Sequence, residues 1–193
     1  MISRRRLLIA APLLLAGCDQ APTFRNTDIT GKKIGGEIAL NDCQGRPRKL
    51  ADFLGKAVVL FFGYTSCPDI CPTALAKFAT LMQQPEMNAG RIQVIFISLD
   101  PERDTPERLC EYTPWFHPSF LGLTGDAGKI AEIARNFRVT SIRKNVEGSM
   151  GYVLDHSAGA YVFGPDGRLR LYLAENARIE DISADLHLLL AGQ

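Results

Sequence analysis

The chain has 193 residues, 22 Lys plus Arg against 21 Asp plus Glu, and a formal net charge of +1. That near-neutral balance argues against a nucleic-acid footprint. With 46% hydrophobic and 22% charged residues it reads as one globular domain with a full core, and no segment is long enough to predict a membrane span.

In chain order, the first element is an address. Arg4, Arg5 and Arg6 precede a short apolar run, Leu7 to Ala16, which ends in Leu15-Ala16-Gly17-Cys18. This resembles a bacterial lipoprotein signal, with cleavage before Cys18, acylation of its thiol, and Asp19 resembling an inner-membrane retention signal. Ser3-Arg4-Arg5-Arg6-Leu7-Leu8 loosely resembles a twin-arginine signal, which leaves the export route open. A signal peptide with a chance cysteine and an uncleaved anchor are the alternatives. Each of these readings places the domain outside the cytoplasm. The expected division is 1–17 signal peptide, 18–36 tether with an early strand, and 37–193 folded domain.

Ile38–Leu40, the turn Asn41–Gly45 and Pro47–Leu50 predict a hairpin. Val58 to Gly63 reads as a buried strand and Ile70 to Gln84 as a helix. Ile92–Leu99 predicts a central strand. Thr105 to Trp115 predicts a helix with Thr105 as N-cap and Pro106 at its first position. A short strand follows at Phe120–Leu123, then a helix at Asp126–Phe137. Residues 138–156 read as a long polar connection. Ala158–Phe163 and Arg168–Leu173 flank Gly164-Pro165-Asp166-Gly167 as a second hairpin, and a final helix spans roughly 177–191. The order β-α-β-α-β-α-β-β-α predicts a thioredoxin-like α/β sandwich, a central mixed sheet flanked by helices, with an N-terminal hairpin extension.

The chemistry concentrates at the first βα junction, where Cys67 and Cys71 lie in Cys67-Pro68-Asp69-Ile70-Cys71-Pro72. Backbone N–H groups and the helix dipole stabilise a thiolate at such a junction. Cysteines at i and i+4 sit farther apart than a disulfide prefers. The spacing therefore favours a bridging metal without excluding disulfide exchange between Cys67 and Cys71. A two-thiolate site needs a further donor. Of the three histidines, His117 reads as a helix-end residue and His187 as a partly buried helix residue. His156, in Leu154-Asp155-His156-Ser157, opens the strand whose preceding loop passes over the active-site helix in a thioredoxin-type fold, with Asp155 available to orient its ring. A trigonal Cys67–Cys71–His156 set fits Cu(I), and an added water or carboxylate admits Cu(II). No proline lies between Thr140 and Phe163, where thiol-disulfide oxidoreductases of this fold place one. A peroxiredoxin is disfavoured, because Leu60 and Tyr64 stand where its pattern wants Pro and Thr. Cys43 and Cys110 could pair in an exported compartment, but sequence does not show them to be close, and two unpaired thiols are the preferred expectation.

These segments resemble the Sco/SenC family of copper-binding proteins of cytochrome c oxidase assembly. The resemblance runs over about residues 24–190. It is carried by Thr27–Gly31, Cys67–Pro72, Ser98–Glu107, Gly122–Gly125 and Asp155-His156-Ser157. It implies one copper held by Cys67, Cys71 and His156 and delivered to the binuclear Cu(A) centre of oxidase subunit II. A periplasmic copper donor upstream and a lipid anchor in the inner membrane through Cys18 complete that expectation. The alternative is a thiol-disulfide reductase that keeps the oxidase's copper-binding cysteines reduced. A monomer is expected.

Overall fold

In the computed structural model, residues 23–148 and 150–193 are described. The signal segment 1–17, Cys18 and the start of the tether lie outside them. The strands are β1 (Thr27–Asp28), β2 (Leu40–Asp42), β3 (Pro47–Arg48), β4 (Ala57–Gly63), β5 (Ile92–Ser98), β6 (Leu121–Thr124), β7 (Ser141–Asn145), β8 (Tyr152–His156), β9 (Ala160–Phe163) and β10 (Leu169–Leu173). The helices are α1 (Ile70–Met82), α2 (Pro106–Phe116), α3 (Ala127–Asn136) and α4 (Ile179–Leu190), with single 3₁₀ turns at Leu50–Phe53 and Ala89–Arg91. Among the described residues no helix is long and apolar enough to cross a membrane.

Eight strands form one mixed sheet in the order β1-β10-β9-β4-β5-β6-β2-β3. β4, β5 and β6 run parallel, and every other pairing is antiparallel. β4 is buried along its whole length and alternates between two cores. Val59 and Phe61 pack with Leu75 and Phe78 of α1 and Ile182, Leu186 and Leu189 of α4. Val58, Leu60 and Phe62 pack with Ile130, Ile133 and Phe137 on the α3 side. A strand covered on both faces has no polar side to show, which is why β4 and β5 read as continuous apolar runs. The thioredoxin-like sandwich is the expected one. The expected hairpin extension, β2–β3, is continuous with the main sheet through β2 and β6.

Two expectations are corrected. Residues 138–156 are not an irregular connection, because β7 and β8 pair antiparallel, Ser141 opposite His156 through Asn145 opposite Tyr152. β7 is exposed over its full length, so it carries no inward-outward alternation to reveal a strand. His156 accordingly ends a strand rather than opening one.

Cys43 and Cys110 are not free thiols. They form a disulfide across 67 positions, with Cα atoms 5.2 Å apart. The fold makes this possible because α2 leads into β6, and β6 pairs with β2, whose turn carries Cys43. That turn is also organised by Asp42, whose side chain is inaccessible. Asp42 accepts from the backbone N–H of Gln44 and Arg46 and from the Nε–H of Arg46 and Arg48, at 2.8–3.0 Å. Burial alone would raise this carboxyl, but the four donors outweigh it and hold it at about 2.

Two stability outcomes are expected. Replacing both Cys43 and Cys110 by Ser lowers the free energy of unfolding by about 2–4 kcal/mol, the scale for opening a loop of this size. Asp42→Asn costs about 1–2 kcal/mol near neutral pH, after allowance for solvent screening of the partly exposed arginines. A carboxyl with a depressed folded pKa stabilises above its unfolded value near 3.9 and loses that contribution as pH falls toward 2. Urea unfolding curves of wild type and Asp42→Asn should therefore differ most at pH 7 and draw together as pH falls from about 4 through about 2.

Candidate metal centre

The site is built on the carboxyl end of β4. Gly63 ends the strand, and a Cβ placed there would lie 2.6 Å from Cys71 Sγ and 2.8 Å from the Phe96 ring. Only a residue without a side chain lets the Cys71 sulfur settle against the strand end. Tyr64 to Asp69 then form a turn into α1. Cys67 sits in this turn, partly exposed, whereas Cys71 lies in the first turn of α1 and is fully buried. The pair therefore straddles the helix start rather than sharing a regular helical face.

This placement sets the electrostatics. Asp69, at the N-cap, makes no side-chain capping bond, and the N–H of Cys71 points instead to Cys67 Sγ at 3.5 Å. The neighbouring Cys71 thiol, together with His156 and the N–H groups of Asp69 and Cys71, outweighs burial and draws Cys67 down to about 3. The proton stays on Cys71, which its hydrogen bond to Cys67 and its burial push upward. Of the two sulfurs, Cys67 is therefore the one that ionises first.

His156 completes the cluster. The two sulfurs and a ring nitrogen of His156 all lie within 4.8 Å of one another, and Nε2 is 3.4 Å from Cys71 Sγ. The other ring nitrogen, Nδ1, is 2.9 Å from the Ser157 carbonyl. A carbonyl only accepts, so Nδ1 carries its proton and Nε2 faces the sulfurs. Burial lowers the imidazole pKa, yet the Cys67 thiolate and the Ser157 carbonyl raise it overall. The rings of Tyr64 and Phe61 stand edge-on to the imidazole, with centroids 5.8 and 6.5 Å away. A cleft of about 290 Å³ opens onto Cys67 and His156 between Ile70 and Leu154.

Other histidine expectations resolve simply. His117 caps the end of α2 and contacts Ser119, while His187 is exposed on α4 rather than partly buried. Asp155 does not orient His156. Its carboxylate pairs with Lys144 at 2.6 Å, across the hairpin.

Sequence reasoning missed Asp104. It is fully buried, accepts from the N–H and Oγ–H of Thr65 and from Ser98 Oγ–H, and so ties the cysteine turn to the end of β5. Burial raises its pKa despite these donors. Thr105 alone caps α2, accepting from Arg108 N–H. The expected cap therefore holds, and Asp104 has a separate task.

Two soft thiolate donors and an imidazole, converging from a helix start and a strand end, match the preferences of monovalent copper. The donor count suits three-coordination, and the cleft leaves room for a fourth oxygen ligand. Fold and site together define a thioredoxin-like domain in which two cysteine sulfurs and an imidazole stand close enough to hold one metal ion.

Comparison with known proteins places that class in a family. A profile described as SCO1/SenC matches residues 26–191, and the chain belongs to that family. The mitochondrial SCO2 homolog of Bos taurus is 41% identical over 150 residues, 77% of this chain and 56% of the bovine protein. The chain thus spans about half the length of the curated relatives it matches. The copper-bound structure of ScoI from Arabidopsis thaliana superposes with a TM-score of 0.76 at 33% identity, covering 83% of this chain and 99% of that one. Copper-bound ScoI from Bradyrhizobium japonicum gives 0.72 at 36%, covering 80% and 98%. A more distant structure, that of BsSco at 22% identity and a TM-score of 0.65, is described as a member of the Sco family of cytochrome c oxidase assembly proteins.

The asymmetry of the two thiols has a measurable consequence. In the metal-free reduced protein, alkylation of Cys67 by iodoacetamide should keep nearly its full rate down to about pH 5. An ordinary thiol of pKa about 8.5 is slowed roughly 1,000-fold between neutrality's alkaline side and that pH. Cys71 should stay unmodified until the protein unfolds, as peptide mass mapping would show.

Proposed function

We propose that this chain is a copper metallochaperone that holds one copper ion through Cys67, Cys71 and His156 and delivers it to the Cu(A) centre of cytochrome c oxidase subunit II. The observation that carries this reading is the convergence of the two sulfurs and His156 Nε2 within 4.8 Å. The copper-bound relatives and the family's place in oxidase assembly support it. Copper is the cargo, and the protein's task is to bind it and let it go. Cys67, already a thiolate, meets the ion first from the open cleft. Cys71 gives up its proton on binding, because a thiolate rather than a thiol is the ligand. Nδ1–H to Ser157 keeps the ring presenting Nε2. Partial exposure of Cys67 leaves an incoming acceptor a sulfur to approach.

The location belongs to the same proposal. The Cys18 sequence and its preceding apolar run suit a lipid anchor that leaves residues 23–193 on the periplasmic side of the bacterial inner membrane. A periplasmic donor would load the site, and the domain would act as a monomer.

A second reading is favoured by one observation: an accessible thiolate beside a buried, protonated thiol is also the arrangement of an attacking and a resolving cysteine. In that reading the chain reduces the copper-binding cysteines of the oxidase. His156 separates the two. Anaerobic titration of the reduced protein with Cu(I) against a competing chelator should give one copper per chain. Cys67→Ser should abolish binding, and His156→Ala should weaken it while leaving reduction of a peptide disulfide intact. Unchanged copper binding in His156→Ala would overturn the ligand assignment and leave the dithiol as a redox centre.

A further inference from the structure

His156 reaches the cysteines from the end of a ribbon that has little of its own to hold it down. Among the described residues β7 and β8 pair only with each other, and β7 is exposed throughout. An isolated two-stranded ribbon is marginal in water. At its base, Thr140 and Ser157 join through the Ser157 N–H to the Thr140 carbonyl and through their hydroxyls. These bonds close the ribbon on itself without fixing its tilt over the cysteines.

Besides Leu154, which packs against the core, and an exposed Arg143–Glu102 ion pair, the ribbon is tied down by the loop between β5 and α2. Arg103 donates from Nη1 to the carbonyls of Met150 and Tyr152, at 3.1 and 3.0 Å, and from Nε to Asp100. The Tyr152 hydroxyl donates to the other Asp100 oxygen at 2.7 Å. The guanidinium also lies 3.6 Å from the Tyr152 ring centroid, and Arg143 of the ribbon covers the same ring at 3.6 Å. Tyr152 is buried and Asp100 is 4% exposed. This is a closed circuit in which a loop arginine grips the backbone and the side chain of the residue that begins β8. Four residues further along the same strand is His156.

We propose that Asp100, Arg103 and Tyr152 form a latch that positions His156 over Cys67 and Cys71, and that the metal centre is complete only while the latch is closed. None of the three touches the sulfurs, so each is a positioning residue. One detail marks the latch as releasable. Among the described residues Arg103 Nη2 is buried without a hydrogen-bond partner, and lifting the ribbon would return it to water, offsetting part of the cost of opening. The proposal rests on the ligand reading given above and adds the element that controls it.

The test uses Arg103→Met, which keeps the aliphatic length and removes the donors, alone and combined with His156→Ala. In the metal-free protein, amide exchange at Tyr152–His156 should accelerate at least about tenfold, the effect of losing one hydrogen bond to a charged group, while β4 and α1 stay protected. Cu(I) affinity should fall about 10–100-fold, as for other residues that orient a metal ligand. In the His156→Ala background the same substitution should change copper affinity no further, because the residue it positions is gone. Tyr152→Phe, which deletes only the bond to Asp100, should act in the same direction to a smaller extent and serves if Arg103→Met fails to fold. Unchanged ribbon exchange, or a copper loss that persists undiminished without His156, would overturn the latch. If His156→Ala alone leaves affinity at the wild-type value, the ligand reading has failed, and ribbon exchange still decides whether the latch exists.

Discussion

The bonds from Thr65 and Ser98 to the buried carboxylate of Asp104 are the constraint on which the site depends. β4 and β5 are parallel neighbours, so their carboxyl ends emerge side by side. Asp104 stands at that shared end and fixes the first residue of the cysteine turn against the second strand. With Thr65 fixed, Cys67 has one place to lie, and Cys71 is carried by the helix that the turn begins. The metal-binding geometry is thus inherited from the sheet, the most rigid part of the molecule. A ligand pair placed on a free loop would lose its spacing with each excursion of that loop.

The third ligand obeys a different rule. His156 belongs to a ribbon outside the main sheet, so its position is set by side-chain contacts rather than by a ladder of backbone bonds. One half of the centre is rigid and the other half is hinged. In the proposed role as a copper carrier, the site must hold its cargo against water yet surrender it to another protein, and this division would serve both needs. The two sulfurs keep the ion's soft coordination, while the imidazole sets how easily the third bond is made or lost.

Much of this was legible before any coordinates. β4 and β5 declared themselves as apolar runs, α2 through Thr105-Pro106, and the β9–β10 hairpin through its Gly-Pro-Asp-Gly turn. The ligand candidates followed from residue type and spacing. What stayed hidden was long-range or locally featureless. β7 is exposed on both faces and carries a single apolar residue, Ile142, so period-two alternation had nothing to register. The Cys43–Cys110 bond depends on β2 pairing with β6, a contact between segments that no local pattern connects. Asp104 adjoins the helix cap Thr105, and nothing in its sequence neighbours marks it as a buried anchor for residues 39 and 6 positions away. Arg103 and Tyr152 are 49 positions apart, and only the folded chain shows that one grips the other. Gly63 was read as the end of a strand, when its lack of a side chain is what admits the Cys71 sulfur.

The disulfide between Cys43 and Cys110 gives the chain two sulfur couples with opposite requirements. The fold is held by a pair that must stay oxidised, while the centre needs a pair that must stay reduced. Four thiols allow three complete pairings, and each of the other two would join a site cysteine to a structural one. Any reductant used to ready Cys67 and Cys71 is therefore also a challenge to the scaffold, and any oxidant that secures the scaffold threatens the centre. The two couples lie apart in the fold: one joins the β2–β3 turn to α2, and the other sits at the start of α1 beside a cleft.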